Sequence, residues 1–195
     1  DWVDAASSVT YTNPIAGGVG ERWKIAPESS ASPYVADSSV SGSETLNPTY
    51  YHQFQVTFQY TIAGTPKGSP TDPTAAYTKF GSPATSTALQ VDPPSDWVDA
   101  GSSVTYTNPL GGSGASERWK IPPEASASPY TVASSVTSPV TLNPTYYHQY
   151  YVTFQYHLSD ASSPAAPTVY YTKFGSPATT TAALAPSTSA SDWAD

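Results

Sequence analysis

The sequence predicts an all-β protein built from tandem β-sandwich repeats of about 95 residues each. Three features lead to this prediction: a long internal repeat, an alternation of apolar and polar residues, and a high content of turn-forming residues. The 195-residue chain contains 20 Pro, 12 Gly, 29 Ser and 25 Thr. These residues interrupt every window long enough to hold a helix, so strands and turns are favoured throughout.

The internal repeat is long and nearly exact in several places. The motif DWVDAASSVTYTNP at 1–14 returns at 96–109 with one change in fourteen residues, and TLNPTYYHQ at 45–53 returns unchanged at 141–149. The final residues, DWAD, begin the motif a third time. We therefore expect the sequence to be a section of a longer array, with Asp1 at a processed or cut end.

The period of the repeat predicts the domain organisation. A unit of this size matches one small domain rather than one turn of a solenoid. The simplest division places one domain at 1–95, a second at 96–191 and the start of a third at 192–195. The phase is open, because the aromatic-rich run 45–60 could carry the chain from one sandwich directly into the next. In that case the complete domain would span about 52–147.

Alternating residues identify the clearest strands. Between 50 and 60 the even positions are Tyr, His, Phe, Val, Phe and Tyr, whereas the odd positions are Tyr, Gln, Gln, Thr and Gln. An apolar face opposite a polar face is typical of a half-buried strand. Short strands separated by Asn-Pro, Gly-Gly and Ser-Pro turns favour an immunoglobulin-like sandwich, with a small β-barrel as the alternative.

Composition argues against several classes of protein. The chain has no Cys, so it can contain neither a thiol nucleophile nor a disulfide framework. Its net charge of −8 would repel a phosphate backbone, so we expect no nucleic-acid partner. No apolar run approaches the roughly 18 residues of a membrane span. No constellation of catalytic residues or cofactor ligands stands out, and we expect a non-enzymatic protein without a cofactor.

A set of repeated motifs resembles a known family. YYHQ followed by VTFQY, then YTKFGSPAT, DWVDAGSSVTYTNP and ERWK are together similar to the tandem Ig-like repeats of very long secreted surface proteins of archaea and bacteria. The resemblance covers essentially the whole chain. It implies extracellular β-sandwich modules in series, as in stalks, adhesins or filaments, and it implies no catalytic residues.

These observations predict a structural component of an extracellular filament or surface stalk. The expected partners are copies of the same chain, arranged head to tail, at the cell surface or beyond it. The alternative is a carbohydrate-binding or adhesive module array that presents its aromatic side chains to a ligand.

Aromatic residues of the long strands and of the DW motifs are the candidates for the junctions between repeats. They could pack one sandwich against the next. These candidates are Tyr50, Tyr51, His52, Tyr146, Tyr147, His148, Trp97 and Trp193.

Clusters of Ser and Thr are the candidates for O-linked glycosylation. Dense Ser and Thr with Pro is the composition of glycosylated extracellular stalks, and glycans would supply hydration to a chain with few charges. The candidates are Thr85, Ser86, Thr87, Thr179, Thr180, Thr181, Ser187, Thr188 and Ser189.

Charged residues offer weaker candidates. Asp96 and Asp99 could supply oxygens to Ca²⁺, although no Asp-, Asn- and Gly-rich loop surrounds them and the ion needs six to eight ligands. Glu28 lies near Arg22 in the sequence, which favours surface ion pairing over a pair of catalytic carboxylates. Lys79 could in principle join an Asn through an isopeptide bond, but nothing in the sequence fixes their proximity.

Overall fold

The computed structural model describes residues 2–65, 67–160, 162–181, 183–184 and 189–195. Within these ranges the chain forms strands, turns and loops and no helix, so the all-β prediction is confirmed. The same described ranges therefore include no helix that could cross a lipid bilayer.

The first part of the chain contributes four short strands. Strands β1 and β4 pair with each other, and the β2–β3 hairpin joins the sheet of the following segment. Their bounds are Val9–Tyr11 (β1), Ile15–Ala16 (β2), Glu21–Ile25 (β3) and Tyr34–Asp37 (β4).

The central part of the chain contributes ten strands. Their bounds are Tyr50–Phe58 (β5), Thr61–Ala63 (β6), Thr74–Lys79 (β7), Ser82–Thr87 (β8), Ser95–Asp99 (β9), Val104–Tyr106 (β10), Glu117–Lys120 (β11), Tyr130–Ala133 (β12), Val140–Leu142 (β13) and Thr145–Tyr156 (β14). One sheet has the order β12-β10-β7-β8. The opposing layer is built on β5, which pairs with β9 and β13, and on β14, which pairs with β6 and β11.

The last part of the chain contributes four strands. Their bounds are Thr168–Lys173 (β15), Ser176–Thr181 (β16), Ala183–Leu184 (β17) and Ala190–Ala194 (β18). Strands β15 and β16 form a hairpin, while β18 runs antiparallel to β14.

A cluster of buried apolar side chains lies in the central part and draws on residues from Phe54 to Tyr146. Both sheets contribute to it. The ring of Phe58 from β5, for example, stacks on that of Tyr77 from β7 at 5.0 Å between ring centroids. Two sheets that share one core fit a β-sandwich. The domain boundaries given above stay predictions.

Strand β5 begins later than the run 45–60 suggested. It starts at Tyr50, and residues 44–49 form no strand. Their equivalents in the second repeat do form one, because Val140–Leu142 pairs in parallel with Val56–Phe58 of the first repeat. Residues 44–49 have no such neighbour among the described strands, and a strand needs a partner for its backbone groups.

The run β5–β6 and the run β13–β14 overlap in a staggered way, because β13 pairs with β5 and β6 pairs with β14. Equivalent residues such as Tyr50 and Tyr146 are 96 positions apart. Residues that face each other across the parallel pairing, such as Thr61 and Thr145, are only 84 apart. The second long strand is therefore displaced along the first by the difference, about 12 residues. At about 3.3 Å per residue this corresponds to a shift of about 40 Å.

Candidate functional site

The candidate site is a polar cluster where β3, β5 and β9 lie side by side. We call it the junction clasp and define it by Arg22, Glu28, Gln53, Tyr77, Lys79, Asp96, Trp97 and Asp99. The first three residues come from the sequence up to residue 53, and the other five come from β7 and β9.

Three clasp residues form a row across the sheet. Arg22 faces Gln53 across the β3–β5 pair, and Gln53 faces Asp99 across the β5–β9 pair. Nε of Arg22 donates to Oε1 of Gln53 at 3.0 Å, and Nε2 of Gln53 donates to Oδ1 of Asp99 at 2.9 Å. Because Arg22 and Gln53 are both buried, water cannot replace these bonds cheaply.

The guanidinium of Arg22 is held on two sides. Its two terminal nitrogens donate to both carboxylate oxygens of Glu28, at 2.7 and 2.5 Å, in a bidentate pair. Its Cζ also lies 4.2 Å from the centre of the Trp97 ring, within the range of a cation–π contact. Planar pairing and ring stacking together are a geometry that Arg supplies and Lys does not.

Lys79 connects the two sides of the clasp. Its Nζ lies 2.5 Å from Oδ1 of Asp96 and 3.3 Å from Oε2 of Glu28. The hydroxyl of Tyr77 donates to the second oxygen of Asp96 at 2.5 Å. A continuous set of ion pairs therefore runs from Arg22 through Glu28 and Lys79 to Asp96.

Asp99 binds the turn that follows Lys79. The β7–β8 hairpin turns through Phe80 and Gly81, whose φ angles are 53° and 71°, as a two-residue type I′ turn requires. The carboxylate of Asp99 accepts hydrogen bonds from the backbone N–H of Phe80 at 2.9 Å and of Gly81 at 2.7 Å. The ring of Phe80 in turn meets the edge of Tyr51, at 5.5 Å between centroids.

Two acidic members of the clasp, Glu28 and Asp96, favour their charged form. The hydrogen bonds from Arg22 lower the pKa of Glu28 below its ordinary value, against a smaller effect of burial. Burial acts to raise the pKa of Asp96, but the hydrogen bonds from Lys79 and Tyr77 outweigh it, so the pKa of this carboxyl is also lowered. The side chain of Lys79, the candidate for an isopeptide bond with an Asn, is engaged in ion pairs with Asp96 and Glu28.

The clasp occurs twice, with the same residue types in the same roles. In the second copy Arg118 bonds Gln149 at 3.0 Å, and Gln149 bonds Asp195 at 2.8 Å. Arg118 also lies 4.1 Å from the centre of the Trp193 ring. The eight residues of the second clasp are Arg118, Glu124, Gln149, Tyr171, Lys173, Asp192, Trp193 and Asp195, each identical to its counterpart.

The aromatic junction candidates fall in three places around the clasps. Trp97 and Trp193 lie against the two arginines, as described. Tyr51 and Tyr147 contact the hairpin turns through Phe80 and Phe174.

The remaining tyrosine and histidine candidates lie on β5 and β14. The hydroxyl of Tyr50 donates to the carbonyl of Thr12, and that of Tyr146 to the carbonyl of Thr107, both at 2.6 Å. His52 and His148 stack on Trp23 and Trp119, and their Nε2 atoms lie 2.9 and 2.7 Å from Glu21 and Glu117.

The glycosylation candidates lie mostly at a sheet edge. Thr85, Ser86 and Thr87 belong to β8, the edge strand of its sheet; both threonines are exposed and Ser86 is half-buried. Thr179, Thr180 and Thr181 occupy the equivalent strand β16, and Ser189 is exposed just before β18. Ser187 and Thr188 lie outside the described residues.

The calcium candidates take part in the clasp instead of an open loop. The oxygens of Asp96 accept hydrogen bonds from Lys79 and Tyr77, and those of Asp99 from Gln53 and the hairpin turn. Over the described ranges, no three His, Asp or Glu side chains are grouped closely enough to hold a metal ion.

The expected ion pair of Arg22 with Glu28 is present and the Glu28 side chain is half-exposed, but the expectation of a surface pair was wrong for Arg22, which is covered by Trp97 and its strand neighbours. Gln53 was missed as well, since its odd position placed it on the polar face. The sequence held one weak signal of them. All eight clasp residues are identical between the repeats, whereas some core residues change, as Phe54 to Tyr150 and Ala75 to Val169 do.

Comparison of the sequence with family models, with curated proteins and with solved structures finds no match. Function is therefore inferred from the geometry alone.

Proposed function

We propose that this chain is a structural component of an extracellular filament or surface stalk, built from Ig-like repeats arranged head to tail. The observation that carries the proposal is the junction clasp. The clasp joins Arg22, Glu28 and Gln53, which precede the core residues, to side chains of β7 and β9 within the central part. It occurs a second time, with identical residues, further along the chain.

The clasp would make the connection between successive repeats rigid. A flexible linker between modules leaves them free to rotate, whereas a buried network with bidentate and stacked contacts fixes one orientation. The chain also passes from the segment that precedes the buried core into the core itself within one strand, β5. The first half of β5 pairs with β3, and its second half pairs with β9. A continuous strand and a polar clasp at the same place suit a part that transmits tension.

The staggered long strands support the same function. Val56–Phe58 pairs with Val140–Leu142, and Thr61–Ala63 pairs with Thr145–Tyr147 at the start of β14, both in parallel. A force along the strands would load these hydrogen bonds together, in shear, instead of opening them one at a time. Each repeat then advances the structure by about 40 Å, from 12 residues at about 3.3 Å each.

Localisation and glycosylation complete the proposal. The exposed hydroxyl side chains of β8 and β16 are accessible positions for O-linked glycans on an extracellular surface. No enzymatic role is proposed, because the ionisable groups of the clasps are engaged with one another and are repeated at each junction.

The adhesive alternative has less support from the geometry. It needs a platform of exposed aromatic rings. Trp23, Trp97, Trp119 and Trp193 instead contact side chains of the same chain, while Trp2 is exposed.

Imaging of the native particles by cryo-electron microscopy tests the proposal. We expect linear assemblies with an axial repeat of about 40 Å, or a small multiple of it if successive modules alternate in orientation. Native particles that are compact and monodisperse would contradict a filament. Titration with glycans, followed by tryptophan fluorescence, tests the alternative, because a structural module should show no saturable change.

A further inference from the structure

The two ends of the described chain present complementary halves of one sandwich core. The complete core in the centre is built from two sets of residues. One set lies on the segment 54–98 and the other on the segment 104–146. Each set has an equivalent elsewhere in the chain that is not covered in the same way.

The first part of the chain, up to residue 50, contains equivalents of the core residues on 104–146 but not of those on 54–98. Ile15 is the equivalent of Leu110, yet its exposed fraction is 42%, against 2% for Leu110. Val9 and Tyr11 are half-buried, whereas their equivalents Val104 and Tyr106 are fully buried.

The last part of the chain, from residue 150, contains equivalents of the core residues on 54–98 but not of those on 104–146. Tyr150 is the equivalent of Phe54, and its exposed fraction is 43%, against 7% for Phe54. Val152, Phe154 and Tyr171 are half-buried, although the equivalent residues Val56, Phe58 and Tyr77 belong to the buried core.

The backbone shows the same complementarity. Val152–Phe154 corresponds to Val56–Phe58, but among the described strands it has no partner equivalent to β13. Residues 44–46 correspond to β13 itself and form no strand. The pairing observed at the centre would place Val152 opposite Glu44 and Phe154 opposite Leu46, by the equivalence of the repeats.

We infer that a second copy of this chain docks at each end, so that the second half of β14 with β15, β16 and β18 of one copy and β1 to β4 of the next form one complete sandwich. The inference rests on the proposed filament function and specifies its partner and register. The contact joins two different surfaces, so every assembly keeps one free surface of each kind at its two ends and growth does not close on itself. Parallel strand addition and burial of the two half-cores would both contribute to the affinity.

Paired variants of the full 195-residue chain test this inference. Ile15→Asp places a charge in the first half-core, and Val152→Asp places one in the second, so each should block one surface only. Val19→Asp and Val91→Asp are matched controls, because both side chains are exposed and neither has a core equivalent. Far-UV circular dichroism verifies that every variant keeps its β-structure.

Sedimentation velocity over a range of concentrations gives the result. We expect the unmodified chain and both controls to form an open series of oligomers, and each blocking variant alone to remain a monomer. An equimolar mixture of Ile15→Asp and Val152→Asp should form a discrete dimer, because each supplies the surface that the other lacks. This recovery in the mixture also excludes misfolding as the cause of the loss.

Two outcomes would overturn the inference. An unmodified chain that stays monomeric at high concentration would show that the ends do not associate, although covalently joined repeats could still form a filament. A blocking variant that dimerises alone would show that the contact is symmetric. Neither outcome depends on the imaging of native particles, so failure of the filament proposal is detected separately.

Discussion

Replacement of Gln53 by Leu tests the central bond row of the first clasp. Leu has a similar size and removes both side-chain hydrogen bonds, to Arg22 and to Asp99, at a buried position. A hydrogen bond to a charged partner contributes about 1.5–3 kcal/mol. Asp99 keeps its bonds to the hairpin turn and Arg22 keeps Glu28, so the loss should lie near the lower end. For the two bonds together we expect the free energy of unfolding to fall by about 3–4 kcal/mol.

Calorimetry of the recombinant chain measures this change. For a protein of this length, a loss of 1 kcal/mol lowers Tm by about 2–4 °C, so Gln53→Leu should lower it by roughly 5–15 °C. Gln55→Leu is the matched control, since Gln55 has the same residue type on the same face of β5 but is exposed, and its effect should stay within about 0.5 kcal/mol. Equal and small effects of the two substitutions would refute the view that the clasp stabilises the junction.

The clasp and the surface give three other testable expectations. The unfolded chain binds protons on Glu28 and Asp96 near pH 4.5 and 3.8, and the folded chain binds them only at lower pH. The contribution of these two groups to stability should therefore be complete above about pH 5 and be lost as the pH drops through the lowered pKa values, which thermal melts across pH measure. Arg22→Lys loses the bidentate pair and the contact with Trp97, so tryptophan emission should change and Tm should fall, while Lys24→Arg should alter the emission less. Intact-mass spectrometry should find native chains heavier than the polypeptide by hexose-sized steps, and recombinant chains at the full polypeptide mass, because ion pairing, unlike an isopeptide bond between Lys and Asn, releases no ammonia.

The strand pattern was predictable from sequence where the hydrophobic effect alone decides which side chains are buried. At Phe54, Val56, Phe58 and Tyr60 the side chains alternate with polar ones, and all four are buried as the alternation indicates. The hydrophobic effect acts on each side chain regardless of what lies further along the chain, so a local pattern is enough.

The clasp could not be predicted in the same way, because its burial depends on residues distant in sequence. Gln53 stands on the polar face of β5 and would be solvated on a strand at the surface of one sheet. It is buried because Arg22 and Asp99 face it from the two neighbouring strands, and Asp99 is 46 residues away. The late start of β5 has a similar cause, since residues 44–49 lack the parallel neighbour that orders their equivalents. The identity of the clasp residues between the two repeats was the feature of the sequence that pointed to them.

The stagger of the long strands has a consequence for how such a structure could break. Strand β6, which follows the long strand β5, lies beside the beginning of the long strand β14, where Thr61–Ala63 pairs with Thr145–Tyr147. The two paired runs therefore do not end at the same level along the strand axis. A fracture across the overlap would have to cut a covalent backbone or slide two hydrogen-bonded strands past each other along their shared length.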